Sequence, residues 1–304
     1  MGTPDFAVPS LDILVRNGYD IVGVITATDK MGGRGGKQLL QSAVKKYAVQ
    51  HDLKVLQPKN LKAPEFIEDL KALKADLQIV VAFRMLPVVV WNMPKLGTYN
   101  LHGSLLPKYR GAAPIHWAVI NGEKETGVTS FKLKHEIDTG DIAFQEKLPI
   151  EENETTGNIH DKMMHLGAEV ILKTVQAIAD ESISFSPQDP NEVSKAPKIW
   201  HDTCEIDFNK SSAKVHNFIR GLSPFPGAYT ELLGKKVKIL KSRRSTDLIS
   251  DSSPGSFLSD NKSYLKMKCA DGYVDVLTIK MEGKRQMDIQ TFLNGYDISK
   301  EMEN

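Results

Sequence analysis

An amide and an imidazole stand two residues apart in the sequence, at Asn100 and His102. They close a predicted strand, residues 97–102, so the alternation of side chains places both groups on one face. Two such groups can donate hydrogen bonds to one oxygen atom. Each donor to a developing oxyanion is worth roughly 10²- to 10³-fold in rate. Considered alone, the pair could equally serve a structural role.

A carboxylate that could complete this pair lies on a glycine-bearing turn, at Asp138 in residues 137–141. Near His102 it would hold the orientation of the imidazole and favour its protonated form. A plain turn aspartate is the alternative. Because the set of Asn100, His102 and Asp138 has no serine or cysteine nucleophile, it points away from covalent acyl transfer. It suits direct attack of an amine on a carbonyl, with Asp138 assisting loss of the amine proton directly or through water.

These side chains need a rigid frame, and the first 180 residues alternate strand-like with helix-like stretches. The predicted strands are 19–26, 53–58, 75–83, 97–102, 128–133 and 141–148, and the predicted helices are 42–52, 64–73 and 155–180. This alternation predicts a mostly parallel sheet covered by helices. In such sheets chemistry gathers beyond the carboxyl ends of the strands, where Asn100 and His102 lie.

The composition changes after this alternating part of the chain. Residues 182–200 are rich in proline and serine and show little periodicity, which indicates a linker. A predicted helix at 212–222 then precedes short strands, a pattern typical of a small antiparallel barrel. Those strands are predicted at 228–233, 237–240, 263–270 and 273–281. We therefore divide the chain into a catalytic domain, 1–181, a linker, 182–200, and a C-terminal domain, 201–304.

The bulk composition excludes several classes of protein. The chain has 304 residues, 41% of them hydrophobic and 25% charged, with a net charge of +1, an ordinary globular balance. Two cysteines, Cys204 and Cys269, have no paired spacing, which excludes a CxxC site and fits a reducing cytosol. The eight histidines lack metal-ligand spacing. We expect no metal, no membrane span and no signal peptide.

Basic residues cluster at two places. The first is a loop with four glycines around Arg34, flanked by Lys30 and Lys37. It fits neither the phosphate-loop nor the dinucleotide spacing, so it is either a plain surface loop or a mobile basic loop that closes over an anionic substrate. The second cluster comprises Lys235, Lys236, Lys238, Lys241, Arg243 and Arg244. It is either a solvated strand pair or a contact surface for a phosphate backbone.

Seven stretches of the chain can be compared with known sequence motifs. They are Gly2-Thr-Pro-Asp-Phe-Ala7, the Gly-Gly-Arg-Gly loop, Asn100-Leu-His-Gly-Ser-Leu-Leu-Pro107, Arg110-Gly-Ala-Ala-Pro-Ile115, Glu125-Thr-Gly-Val128, Asp138-Thr-Gly-Asp141 and Pro224-Phe-Pro-Gly-Ala228. Together they resemble the methionyl-tRNA formyltransferases, a family of folate-dependent formyltransferases, over nearly the whole chain. The resemblance implies an α/β, Rossmann-like formyltransferase domain with a mostly parallel sheet, followed by a small OB-like β-barrel that contacts tRNA.

The resemblance also implies an activity: transfer of the formyl group of 10-formyltetrahydrofolate to the methionine of initiator tRNA, by a cytoplasmic monomer. By the same resemblance Asn100, His102 and Asp138 are the catalytic residues. The folate site would be lined by Ser104, Leu105, Leu106 and Pro107. The tRNA would be contacted by Phe6, Arg34, Lys37, Lys235, Lys236 and Lys238. A sugar-nucleotide N-formyltransferase with the same catalytic residues is the nearest rival, and an RNA-binding protein without activity is another.

Two features depart from the family pattern. The chain begins at Met1, where the family has several apolar strand residues before the glycine. Each large buried side chain contributes about 1.5–3 kcal/mol against a total stability of about 5–15 kcal/mol. We therefore expect this chain to be much less stable than one with that strand restored. The loop 82–87 is one residue shorter than usual and carries Arg84 where glycine is common, which leaves its folate contacts open.

Overall fold

The structure, a computed structural model, describes residues 1–33, 35–245 and 252–298. Its internal contacts divide the chain into two compact units. The first unit comprises Met1–Gly111, Gly127–Leu148 and His160–Lys195. The second comprises Ala112–Thr126, Pro149–Ile159 and the chain from Ala196 onward. No helix within these described ranges is long and apolar enough to cross a membrane.

The elements up to residue 200 are short apart from one long helix. The strands are β1 (Val24–Ile25), β2 (Lys30–Gly32), β3 (Gln38–Leu40), β4 (Val55–Leu56), β5 (Gln78–Val81), β6 (Thr98–His102), β7 (Arg110–Gly111), β8 (Glu125–Lys132), β9 (Ile142–Pro149) and β10 (Lys195–Ala196). The helices are α1 (Val8–Arg16), α2 (Ala43–Gln50), α3 (Pro64–Ala72), α4 (Val88–Trp91), α5 (Pro114–Ile120) and α6 (Thr156–Ala179), with 3₁₀ turns at Asp5–Ala7 and Pro190–Glu192.

The sheet that carries the candidate residues has the order β5-β6-β8-β9. β5 runs parallel to β6, and β8 runs antiparallel to it. Helix α6 packs closely on β6, since a Cβ atom at Gly167 would lie 2.5 Å from the Leu101 side chain. The hydroxyls of Ser130 and Thr174 join β8 to the same helix at 2.7 Å. The Rossmann-like fold that the family resemblance implies is confirmed. Around β6 the sheet is mixed, with one parallel and one antiparallel pairing, rather than mostly parallel as the alternating pattern predicts.

The predicted strand 19–26 is much shorter in the structure, where only β1 forms, paired in parallel with β4. The other edge of β1 meets the first residues of the chain, through a hydrogen bond from Gly2 N to Ile25 O of 3.0 Å. Met1 in turn bonds to β5, donating from its amine to Ile79 O at 2.7 Å and accepting from Val81 N at 2.9 Å. The chain start therefore occupies one end of the space between β1 and β5.

A cavity of about 370 Å³ extends from this point, lined by Met1, Gly2 and residues of both strands, among them Val24, Ile25 and Ile79. The β1–β4 ladder covers two residues of β1, Val24 and Ile25, rather than the eight residues of the predicted strand.

The second unit contains one antiparallel sheet, in the order β11-β12-β15-β14-β13, with a short further strand, β16, on β15. These strands are β11 (Ala228–Leu232), β12 (Lys235–Arg244), β13 (Phe257–Ser259), β14 (Leu265–Cys269), β15 (Gly272–Met281) and β16 (Met287–Asp288). Helices α7 (Ser212–Gly221) and α8 (Ile289–Gly295) and a 3₁₀ turn at His201–Cys204 complete the unit. A register shift after Ile239 bends β12. The predicted antiparallel barrel is confirmed as a curled half-barrel, filled by residues such as Ile219, Ile279 and Phe292.

Candidate active site

His102 ends β6 and is buried, with 6% of its surface exposed. Its Nε2 lies 2.8 Å from the carbonyl oxygen of Tyr109. Because a carbonyl oxygen can only accept, Nε2 must carry the proton of this hydrogen bond. The other ring nitrogen, Nδ1, faces the Asp138 carboxylate, with 3.8 Å between Nδ1 and Oδ2. Nδ1 is thus the ring nitrogen left for chemistry.

The structure brings Asp138 to His102 from a separate turn between β8 and β9, as the sequence analysis requires. Asp138 adopts a left-handed backbone conformation, with φ of 55°. Its Oδ2 accepts a hydrogen bond of 2.9 Å from the backbone nitrogen of Gly111, and its side chain is 13% exposed. A distance of 3.8 Å is too long for a direct hydrogen bond between Oδ2 and Nδ1. Both atoms can therefore form hydrogen bonds with a bound substrate.

Asn100 lies two residues before His102 on the same face of β6, opposite Phe131 of β8. The residue is half-buried. The described residues form no side-chain hydrogen bond with Asn100. Its amide is therefore available to a bound molecule on the face that carries His102.

The turn Ser104–Pro107 follows directly and is largely buried, with only Leu105 half-exposed. The Ser104 hydroxyl donates to Lys108 O at 2.6 Å. Two residues that the sequence analysis did not single out hold this turn. The Thr129 hydroxyl accepts from Leu106 N and donates to Ser104 O, and the Gln145 amide donates to Leu106 O at 2.7 Å. Both residues are polar residues inside predicted strands, which is the sequence signal that could have identified them. Thr129 is fully buried on β8.

Two family matches cover most of the chain. Residues 1–175 match the family described as Formyl transferase, and residues 198–297 match Formyl transferase, C-terminal domain. A methionyl-tRNA formyltransferase of Bacteroides fragilis is 50% identical over 308 residues, covering 98% of this chain and 94% of that protein. One of Flavobacterium johnsoniae is 45% identical, covering 99% and 96%. The chain belongs to the methionyl-tRNA formyltransferases of the formyl transferase family.

Solved formyltransferase structures share the fold of this family member at low identity. The sugar 3-N-formyltransferase WlaRD, solved with dTDP and 5-N-formyl-THF, aligns with a TM-score of 0.69 and 23% identity over 93% of this chain and 97% of that one. An N-formyltransferase of Helicobacter canadensis, in complex with folinic acid and dTDP-3-aminofucose, aligns with a TM-score of 0.68 and 23% identity, covering 90% and 96%. These likenesses establish the architecture.

The residues predicted to meet tRNA in the first unit lie in different surroundings. Phe6 is buried, and its ring packs on that of His160 with centroids 5.2 Å apart. Lys37 is exposed beside β3 of the hairpin β2–β3. Arg34 lies outside the described residues. Hairpin β2–β3 also exposes apolar side chains, with Met31 63% and Leu39 54% exposed.

The residues of the second unit that are predicted to contact tRNA lie on β12. Their ammonium groups differ in exposure and in the contacts that they make. Lys235 and Lys236 are exposed, and the Lys236 ammonium lies 3.9 Å from the centroid of the Tyr229 ring. The Lys238 ammonium donates to Pro226 O at 2.7 Å and is half-buried. Lys235 and Lys236 lie at the surface. Lys238 instead anchors the segment before β11 through its hydrogen bond to Pro226 O.

Other reactive groups lie outside this arrangement. Burial raises the pKa of the Cys269 thiol to about 12 and raises that of Cys204 as well, so neither supplies a thiolate near neutral pH. Within residues 1–33, 35–245 and 252–298, no three His, Cys, Asp or Glu side chains gather as a metal site would require.

Proposed function

We propose that this chain transfers the formyl group of 10-formyltetrahydrofolate to the α-amino group of methionine on initiator tRNA, forming N-formylmethionyl-tRNA for translation initiation. Identity of about half over the full length of proteins named methionyl-tRNA formyltransferases supports this activity. The structural observation that carries it is the pairing of His102 Nδ1 with Asp138 Oδ2 at 3.8 Å, beside Asn100. These groups fit a formyl carbonyl and an incoming amine.

Each of the three side chains has a separate role in this proposal. The Asn100 amide and the Nδ1–H of protonated His102 donate to the formyl oxygen as the amine attacks the formyl carbon and negative charge develops on that oxygen. Asp138 takes the proton that the amine loses, directly or through water. The bond between the formyl carbon and the folate nitrogen then breaks, and that nitrogen leaves with the proton that Asp138 accepted, returned directly or through water. Tyr109 keeps the imidazole in place by accepting from Nε2.

The remaining assignments follow from the family and extend this proposal. We assign the folate site to Ser104, Leu105, Leu106 and Pro107, which border His102 in sequence. We assign contacts with tRNA to Phe6, Arg34 and Lys37 and to the lysines of β12. The catalytic domain is proposed to span 1–181, the linker 182–200 and the tRNA-binding domain 201–304. The enzyme is proposed to act as a monomer in the cytoplasm, where translation begins.

A single-turnover assay with 10-formyltetrahydrofolate tests the activity by offering two amines in separate reactions. One acceptor is methionyl initiator tRNA and the other is an amino-sugar nucleotide. We expect rapid formylation of the tRNA and none of the sugar. Formylation of the sugar alone would make the chain a sugar-nucleotide N-formyltransferase. Formylation of neither, by a folded protein that still binds tRNA, would indicate an RNA-binding protein without activity.

A further inference from the structure

Residues 186–194 contact both loops that flank His102. Ser186 pairs with Ile142 at the start of β9 through two backbone hydrogen bonds of 2.8 and 2.9 Å. At the other end, Ser194 O accepts from Arg110 N at 2.9 Å, and Ser194 N donates to Pro107 O at 3.4 Å. We call residues 186–194 the brace. It begins beside the Asp138 turn and ends at the loop that carries Tyr109.

Gln188 of the brace holds the Asp138 turn with both amide hydrogens. Its Nε2 donates to Asp138 O at 2.9 Å and to Gly140 O at 2.7 Å. Its Oε1 accepts two hydrogen bonds from Arg110, from Nε at 3.0 Å and from Nη2 at 2.6 Å. The guanidinium therefore fixes which way the amide points, and the amide fixes the backbone on both sides of Thr139.

Ser194 of the brace acts on the other neighbour of His102. Its hydroxyl oxygen accepts from Tyr109 N at 2.9 Å, and the carbonyl oxygen of Tyr109 accepts from His102 Nε2. The position of the imidazole thus depends on a backbone segment that Ser194 holds in place.

Tyr109 and Asp138 share an uncommon backbone conformation. Their φ angles are 61° and 55°, in the left-handed region that side chains other than glycine disfavour. Such a conformation is unfavourable for these residues and persists where the surroundings over-determine it. Both residues contact His102, and both are tied to the brace. The surroundings that hold these two backbones therefore include Gln188 and Ser194.

We propose that Gln188 and Ser194 are positioning residues for the formyl transfer, with Arg110 orienting Gln188. The proposal rests on the proposed function, in which His102 and Asp138 act on the substrate. Gln188 sets the position and direction of the Asp138 carboxylate by holding its backbone. Ser194 sets the orientation of the His102 ring by holding the backbone of Tyr109. Residues 182–200 thereby contribute to the active site as well as joining two parts of the chain.

Four variants test the positioning role in steady-state formylation of methionyl initiator tRNA, which measures kcat and KM. Gln188→Ala should lower kcat about 10- to 100-fold, because misplacing a reacting group by about 1 Å costs up to about 10²-fold. Gln188→Glu should do the same, since a carboxylate still accepts from Arg110 but cannot donate to two carbonyls. Ser194→Ala should lower kcat about threefold to tenfold. Gln176→Ala, which removes an exposed glutamine side chain of α6, should leave kcat unchanged.

The KM values for tRNA and for 10-formyltetrahydrofolate should stay within about threefold for every variant, because positioning acts on the reacting groups rather than on binding. Thermal melts recorded on the same samples identify any variant that fails to fold. The positioning role is contradicted if Gln188→Ala or Gln188→Glu folds and retains the kcat of the unmodified chain. It is also contradicted if kcat/KM falls only because KM rises.

A double-mutant cycle separates this proposal from the proposed function. In an Asp138→Asn protein, adding Gln188→Ala should lower the remaining rate less than twofold, because the carboxylate that Gln188 positions is gone. An equal loss in both backgrounds would overturn the positioning role while leaving the formyltransferase mechanism intact. An Asp138→Asn protein with the full rate would instead overturn the role of Asp138 and, with it, the premise of the brace.

Discussion

His102 is fixed at one ring nitrogen and available at the other. Tyr109 O accepts from Nε2 at 2.8 Å, which determines the tautomer of the neutral ring. Nδ1 then faces the Asp138 carboxylate across 3.8 Å. Protonation adds a hydrogen at Nδ1, where it can be shared between the carboxylate and a substrate oxygen. The protonated ring is the form that serves the proposed reaction.

Replacing His102 by alanine should lower the single-turnover rate by roughly 10²- to 10⁴-fold, because an oxyanion donor is lost. The affinity for tRNA should change less than about threefold, because His102 is buried and its proposed contact with the substrates is confined to the formyl group. Equilibrium binding and single-turnover kinetics on the same preparation measure the two effects. His165→Ala, an exposed histidine of α6, is the matched control. A loss expressed mainly in affinity would contradict a catalytic role.

In a 304-residue polypeptide prepared to start at Met1, the amino group of that residue should make the free energy of unfolding depend on pH. Burial lowers the pKa of this amine to about 5, whereas an unfolded amino terminus titrates near 8. Between these values the unfolded chain binds more protons than the folded chain, so stability falls as pH decreases. The full effect amounts to about 4 kcal/mol, present above pH 8 and lost by about pH 5.

Denaturant unfolding at several pH values between 5 and 8 measures this dependence. The control is the same chain with a short polar segment joined ahead of Met1, which removes the charged group from this position. The free energy of unfolding of the unextended chain should fall more steeply with decreasing pH than that of the control. Identical slopes for the two proteins would show that the amine is not buried.

At the scale of residues, spacing identified the groups proposed to act on the substrate and missed those proposed to position them. Asn100 and His102 share a strand face, and a nearby acidic turn is a natural partner for an imidazole, so chemistry alone proposes them. Gln145 and Gln188 act through contacts with backbone atoms of distant segments. Such contacts leave no pattern in a single sequence, because many kinds of polar side chain can donate to a carbonyl.

At the scale of elements, the space between β1 and β5 is incompletely filled. Met1 and Gly2 bond to both strands at one end, and the cavity of about 370 Å³ extends beyond them. Apolar walls that meet no partner atoms lose dispersion contacts and burial. A segment that continued Met1 backwards as a strand would find hydrogen-bonding edges on both sides.

An extension of five or six apolar β-branched residues ahead of Met1 should therefore raise the melting temperature. Each large side chain that becomes buried contributes about 1.5–3 kcal/mol, and a gain of 1 kcal/mol shifts the melting temperature of a domain of this size by about 2–4 °C. An extension of equal length made of glycine and serine is the matched control. Equal melting temperatures for the two extended proteins would show that no strand forms there.

Several elements were predicted closely, whereas α1, α5 and the hairpin β2–β3 were missed. Helix α6 spans Thr156–Ala179 against a predicted 155–180, and α2 spans Ala43–Gln50 against 42–52. The hairpin β2–β3 and helix α5 were not predicted, since three strand residues or seven helical ones carry too little periodicity. Arg84, which departs from the family pattern, donates to the carbonyls of Pro58 and Lys59. It ties loop 82–87 to the chain after β4.

At the scale of the whole molecule, the net charge is only +1, although basic residues are concentrated on one strand, β12. β12 carries its lysines close together, but their surroundings differ. Arg243 is paired with Asp275 at 2.9 Å, and Lys238 is bound to Pro226 O. Lys235 and Lys236 remain exposed. The sequence predicted the charge cluster, whereas the contacts that neutralise part of it depend on register and could not be predicted.

Replacing Lys235 and Lys236 by glutamine should weaken tRNA binding and flatten its dependence on salt. Each lost phosphate contact lowers the slope of log K against log salt by about one, while stability should change little because both side chains are exposed. Filter binding at several salt concentrations measures the slope. Glutamine at the exposed Lys46 and Lys71 provides a control with the same change in net charge. A slope that responds equally in both double variants would leave β12 as an ordinary solvated strand.

Replacing Lys238 by alanine should behave differently from those two changes. Its ammonium anchors Pro226 O at 2.7 Å, so its loss should lower the melting temperature by a few degrees, as expected for one charged hydrogen bond of about 1.5–3 kcal/mol. Thermal denaturation compared with Lys235→Ala measures this difference. A melting temperature equal to that of the Lys235 variant would show that the Pro226 contact contributes nothing to stability.

Asn100, His102 and Asp138 are proposed to catalyse formylation of the methionine of initiator tRNA. A single-turnover experiment with 10-formyltetrahydrofolate carrying a labelled formyl group and charged initiator tRNA tests this role. The unmodified chain should place the label on the methionine amine, and Asp138→Asn should bind both substrates yet transfer the label at least about 10²-fold more slowly. Transfer at the same rate by both proteins, or no label on the tRNA from a folded unmodified chain, would contradict the account.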